Sequence, residues 1–198
     1  MTSGLYVNYG CGASVRDGWL NFDASPTARL EALPFIPRRI FPPGVLFGDI
    51  VAGLPLPPSS CAGVYASHVL EHLSLSEARQ ALRQTLRLRR FRVVVPDLRA
   101  AAQAYLADPS AEAAPTFLQA TLLGEERRLS GLGAFVREWL GHTRHRWMWD
   151  ESSLTAELCA AGFSKVRRCA FNDSADPRFQ EVEEVGRFEG ALAMEAGR

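Results

Sequence analysis

Lysine is nearly missing: Lys165 is the single lysine among 22 basic residues, so the positive charge is almost all arginine. A Schiff-base amine or a buried lysine base therefore has no source elsewhere in the chain. Cysteine is sparse too. Cys11, Cys61, Cys159 and Cys169 lie far apart with no C-x-x-C pair, which excludes a disulfide framework and a zinc knuckle and reads all four as reduced thiols. Net charge is also lacking, because 22 acidic residues balance the 22 basic ones. No global field draws such a chain to nucleic acid or an anionic membrane, and a large nucleic acid is not the expected partner. No apolar run approaches the roughly 20 residues that span a bilayer, and Met1 does not open a charged-then-apolar leader. The expectation is a cytoplasmic protein with no membrane partner.

What is present is 198 residues, 47% of them hydrophobic, enough to bury the core of one domain. Leu5 to Tyr9 is β-prone and stops at Gly10-Cys11-Gly12; Trp19 to Asp23 alternates apolar and polar residues and ends on an acid. Ala24 to Ser60 holds most of the prolines, which argues for an ordered loop there, interrupted by a third strand at Val45-Leu46-Phe47. Gly63 to Ser67 reads as a fourth strand. A helix follows, with Ser76 as its cap and Ala78, Ala81, Leu82 and Leu86 on one face. Phe91 to Val95 is a β-branched run of the kind found in buried parallel strands. Further helices are expected at Leu98–Ala107, Thr116–Leu123 and Ala134–Leu140, and another after Asp150 carrying Leu154, Leu158 and Ala161, closed by Gly162. Strands at Lys165–Phe171 and Gly190–Ala196 complete an α/β sandwich around a mostly parallel sheet.

Chemistry gathers at the strand ends. A glycine turn after a first strand lets main-chain N–H groups approach a ligand closely. Asp23, ending the second strand, can accept from both hydroxyls of a ribose. Asp49-Ile50, after the third, offers an acceptor and an apolar wall suited to adenine. A dinucleotide fingerprint would place a third glycine where Val15 stands and would run into a long helix, but Gly12 to Trp19 is too short for one. That disfavours a nicotinamide oxidoreductase.

In order along the chain, NYGCGAS, WLNFD, GDIVAGLPLPPSS and VYASHVLEHLS resemble the class I S-adenosylmethionine-dependent methyltransferases, specifically their small type 11 subgroup. The most specific string is Ser67-His68-Val69-Leu70-Glu71-His72-Leu73. The resemblance runs from about Leu5 to Asp97 and more loosely through Arg144–Asp150 to the C-terminus. It implies a Rossmann-like three-layer sandwich with a seven-stranded, mostly parallel sheet whose last strand is antiparallel. It implies S-adenosyl-L-methionine as cofactor, with Tyr9, Gly10, Cys11 and Gly12 under the methionine part, Asp23 on the ribose and Asp49 with Ile50 at the adenine. Ser67 and His68 would line the methyl-transfer cleft. The chain is then a single methyltransferase domain in which residues 98–150 form a helical, substrate-side insertion. Its reaction would be methyl transfer to a small-molecule hydroxyl or amine, such as a sugar or secondary metabolite.

The chain departs from the family at Asn8, where many members carry an acid, at the short first crossover, and at Leu88-Arg89-Arg90-Phe91, where a Pro-Gly-Gly turn is usual. The last departure requires the preceding helix to end near Thr85 or the next strand to slip, and it motivates the alternative of a catalytically inactive cofactor-binding sensor or partner subunit. Displacement at a sulfonium depends mainly on alignment, with a base needed only for a weak, protonated nucleophile. His68 is the first candidate for that role, followed by His72 and Asp97. His142, His145, Trp147, Trp149 and Asp150 cluster before the C-terminal helix, where packing is the default role of the tryptophans. Histidines three apart with no acid or cysteine that completes a plausible ligand set nearby argue against a metal, and none is expected. Arg79, Arg83, Arg87 and Arg90 form a stripe read as a solvated face, with phosphate contact as the alternative.

Overall fold

The computed structural model describes residues 4–31, 33, 35, 42–124 and 144–198. The expected helix at Ala134–Leu140 and His142 lie outside them. Seven strands form one sheet: β1 (Leu5–Tyr9), β2 (Leu20–Asp23), β3 (Val45–Phe47), β4 (Cys61–Ser67), β5 (Phe91–Pro96), β6 (Lys165–Cys169) and β7 (Ala191–Gly197). Their order is β3-β2-β1-β4-β5-β7-β6, with β7 antiparallel to both neighbours and the remaining pairings parallel. Successive side chains of β5 go to opposite faces, as the strand period requires. Val93 and Val95 enter the larger core with Leu82, Leu154 and Leu158, whereas Val94 joins Tyr65, Phe179 and Val182 on the other face.

The larger core is covered by α2 (Leu75–Leu86) and α5 (Glu151–Ala161). The bidentate Arg79–Glu157 pair, at 2.7 to 3.1 Å, ties these helices together. The opposite face lies under the β6–β7 connection, whose 3₁₀ turns Pro177–Glu181 and Val185–Arg187 seat Phe179 against the sheet. Between these layers Arg92 on β5 is fully buried. It donates to Glu183 through Nε, to Glu195 at 3.2 Å and to the Ala170 carbonyl at 2.7 Å.

Three sequence expectations are corrected. The proline-rich stretch is not all loop: α1 (Pro26–Glu31) forms with Pro26 in its first turn, where a missing N–H costs nothing, and Ser25 Oγ accepts from the Ala28 N–H. The cap of α2 is Ser74 rather than Ser76, in a capping box with Glu77. The helix expected over Thr116–Leu123 starts earlier, as α4 (Ala113–Ala120), packed on α3 (Leu98–Ala107). At the other end, Asp150 accepts from the Ser153 N–H and Gly162 closes α5 at φ 110°, as the residues suggested.

The two irregular connections have local explanations. Ten residues, 10–19, join β1 to β2 with no crossover helix. Two buried asparagines organise them: Asn8 Nδ2 donates to the Ser14 carbonyl, and the Asn21 side chain bonds the Arg16 N–H and the Arg16 and Trp19 carbonyls. Before β5, α2 runs one residue past Thr85, and Arg89 adopts φ 116°, supplying the left-handed turn for which glycine is usual. Leu88 is buried, Ser59 donates its N–H to the Arg87 carbonyl, and β5 keeps its register with Val64 opposite Phe91. Every arginine of the expected stripe has a protein partner. Arg79 bonds Glu157, Arg83 bonds Gln80, Arg87 the Leu54 and Leu56 carbonyls, and Arg90 Asp176.

Candidate active site

Strand order reverses between β1 and β4, the switch point at which open parallel sheets bind ligands outside their carboxyl ends. A crevice of about 900 Å³, counting space open to solvent, lies there. The end of β1 gives it Tyr9, Gly10 and Gly12, and that of β2 gives Asp23, Ala24 and Ser25. Gly48, Asp49 and Ile50 follow β3, and His68, Val69, His72 and Leu73 follow β4. Four strand ends thus bring together most of the residues expected from sequence.

Their detailed roles differ. Tyr9 is buried with its ring stacked on Phe91, and its hydroxyl accepts from Thr85. Burial pushes that phenol well above its ordinary range, and what Tyr9 can offer the crevice is main chain. Gly10 (φ 65°) passes under Val69, whose Cγ2 would lie 2.3 Å from an added Cβ. Gly12 (φ 54°) has open space where a Cβ would stand, so its main chain is accessible from the crevice. Asp23 is buried and accepts from the Gly12 N–H at 3.0 Å and the Ser25 N–H at 2.8 Å. One carboxylate therefore locks the glycine turn and still faces the cavity. Asp49 caps its own turn by accepting from the Val51 N–H, and Ile50 is buried beside it.

Cys11 and Ser67 do not line this crevice. They border a smaller cavity shared with Asn8, Tyr65, Glu184 and Arg187, and Gly10 borders both. Burial, first, and the nearby Asp23 carboxylate push the Cys11 thiol up to about 12, so it stays a thiol. Glu184 and Arg187 could not be placed from sequence, because only the folding of the β6–β7 connection carries them back to β1.

His68 sits at φ 55°, directly after β4. It lines the crevice and also a second cavity, bordered by Asp97 and Ala100 from around β5 and α3, by Thr121 and Leu122 after α4, and by His145 and Met148. No other described residue is common to the two. Its Nε2 donates to the Arg187 carbonyl at 3.0 Å and its Nδ1 is 3.2 Å from Glu71 Oε1. Glu71, first, and the Arg187 carbonyl favour the imidazolium and raise the His68 pKa, burial opposing them. Both ring nitrogens face acceptors, an arrangement that suits orientation better than proton abstraction. Asp97 caps α3 by accepting from the Arg99 and Ala100 N–H groups and pairs with Arg168 at 3.3 Å. Its carboxylate holds structure together at the edge of the second cavity. His72 donates through Nδ1 to the Arg144 carbonyl, and its ring meets His145 with centroids 5.2 Å apart. Trp149 is fully buried in the core, as the default reading had it, while Trp147 is partly exposed against it.

Neither a protein-family model nor a curated protein matches the chain. Solved structures do. A chain of the Haloferax volcanii complex between the Trm112 methyltransferase activator and a methyltransferase aligns over 98% of this chain and 82% of that one, at 16% identity and TM-score 0.52. A SAM-dependent methyltransferase from Thermotoga maritima aligns over 100% and 83%, at 14% identity and TM-score 0.50. Another, from Archaeoglobus fulgidus, aligns over 98% and 86%, also at 14% and 0.50. At such identities the likeness is one of fold, and the fold is the Rossmann-like α/β fold of the SAM-dependent methyltransferases, with its seven-stranded sheet and antiparallel β7.

Proposed function

We propose that the chain binds S-adenosyl-L-methionine and transfers its methyl group to a small-molecule hydroxyl or amine. The observation that carries this reading is His68, the one described residue common to the switch-point crevice and the second cavity, where a donor and an acceptor would meet. The crevice fits the cofactor on its own terms. Gly12 leaves open the space a Cβ would fill, Asp23 offers a ribose its acceptors, and Asp49 with Ile50 presents an acceptor and an apolar wall to adenine. When bound, the cofactor supplies the electrophilic methyl group. The protein's own part is alignment, which can account for much of the rate of an in-line displacement. His68, held between a carbonyl and a carboxylate, fixes the edge of the acceptor cavity, and His72 borders the donor side.

Residues 98–150 are read as the substrate-side insertion, because α3 and the segment after α4 line the second cavity. No helix among the described residues is long and apolar enough to cross a membrane. The observation that favoured an inactive sensor loses its force, since Arg89 absorbs the missing turn and β5 keeps its register. A panel of hydroxyl and amine acceptors incubated with methyl-labelled cofactor tests the proposal. Labelled product that depends on the wild-type chain supports it, and cofactor binding with no transfer across the panel returns the reading to a sensor.

A further inference from the structure

Glu71 is fully buried, in the 3₁₀ turn after β4, yet neither of its carboxylate oxygens receives a hydrogen bond from the described residues. Its charged neighbour is His68, whose Nδ1 stands 3.2 Å from Oε1 without the alignment of a hydrogen bond. His68 is the one cationic partner that the described residues bring to this buried carboxylate, and without aligned donors the carboxylate is stabilised by further positive charge. Two histidines meet it. One ligand atom from each of Glu71, His72 and His145 lies within 4.8 Å of the others. The sequence hid this set, because the acid next to His145 in space is 74 positions away along the chain. The Glu71 carbonyl accepts from the Arg146 and Trp147 N–H groups, at 2.7 and 3.2 Å, and so draws His145 into place.

His72 donates its Nδ1–H to the Arg144 carbonyl. His145 Nδ1 is buried with no hydrogen-bond partner among the described residues. A ligating histidine whose second nitrogen donates to a backbone carbonyl is the usual outer support of a metal site.

We propose that Glu71, His72 and His145 bind one divalent first-row metal ion of the zinc class, on the border between the two cavities. Two imidazole nitrogens and one carboxylate oxygen suit zinc and its neighbours, whereas magnesium and calcium take all-oxygen sets. Three protein ligands leave at least one coordination position open. His72 borders the crevice and His145 the second cavity, so an oxygen-bearing molecule in either has access to that position. The inference does not rest on the methyl-transfer reading.

The test is calorimetric titration of the chelator-stripped full chain with zinc chloride, with cobalt chloride followed by visible absorption as a second probe. One ion per chain, in the micromolar range or tighter, with a cobalt spectrum of mixed nitrogen and oxygen ligation, is the expected result. His145→Asn should weaken binding at least about tenfold while leaving the circular dichroism spectrum unchanged, as loss of a single ligand exceeds the 10- to 100-fold effect of an outer-shell partner. Glu71→Gln should do the same where it folds. Absence of saturable binding in the folded chain overturns the proposal, as does equal affinity in His145→Asn. The same samples titrated with S-adenosylhomocysteine report on the cofactor crevice separately, so failure of one reading does not pass for failure of the other.

Discussion

Asp23 does two things at once, and its substitutions separate them. Its carboxylate accepts the Gly12 and Ser25 N–H groups and faces the crevice. On the proposed binding mode Asp23→Ala removes charge-assisted contacts to the cofactor ribose and frees the turn, so affinity for S-adenosylhomocysteine should fall by about 1.5 to 3 kcal/mol, read by calorimetry. Asp23→Asn keeps one acceptor and should lose less. Unchanged affinity in the alanine variant would remove Asp23 from the site. Gly10 is constrained differently: a Cβ there would meet Val69 at 2.3 Å in a backbone of φ 65°. Gly10→Ala should therefore lower both the melting temperature and the affinity, whereas Gly12→Ala, with open space and φ 54°, should lower affinity more than stability. His68→Ala should reduce turnover with little change in cofactor affinity if it orients the acceptor. Parallel losses would make it a cofactor-binding residue.

Among the elements, those with local signals were legible and those built by distant partners were not. The glycine turn, the acid ending β2 and Asp150 with Gly162 around α5 stand in the sequence as they do in the fold. The cap of α2 was misplaced by two residues because Ser74 and Ser76 are both competent caps, and only Glu77 closing a box on Ser74 decides between them. Helix α1 has no strong local signal, because the prolines around it are breakers elsewhere in a helix and only the first-turn place of Pro26 makes it compatible with one. At α5, Asp150→Ala should cost about 1 kcal/mol at neutral pH, measured by urea unfolding. The bonds from Ser153, with Arg99 adding to them, hold the Asp150 carboxyl below its ordinary value of 3.8. That contribution is present above the ordinary value and is lost as pH falls through the lowered one. The gap between wild type and Asp150→Asn should therefore narrow on going from pH 7 to pH 3, and a constant gap would show that the cap's charge contributes nothing.

For the whole molecule, one buried cation links the sheet to the layer over its second face. Arg92 joins β5 to Glu183 in the β6–β7 connection and to Glu195 on β7. Arg92→Met leaves the buried Glu183 carboxylate without its cation and Glu195 with Arg167 alone, and should cost about 3 to 5 kcal/mol, seen as a fall in the denaturation midpoint. Adding Glu183→Gln should recover part of the loss. Nothing local in the sequence marks this network, nor the meeting of Glu71 with His145, because each depends on chain segments far apart in sequence. The order of the strand-end residues was readable for the opposite reason: a parallel sheet carries its ligand chemistry at successive strand ends, and the chain presents them in sequence. The measurement that bears most directly on the account is titration of the folded chain with S-adenosylhomocysteine, with NADH as control. The account predicts one micromolar site for the first and no binding of the second. A folded chain that binds neither, or that prefers NADH, would contradict it.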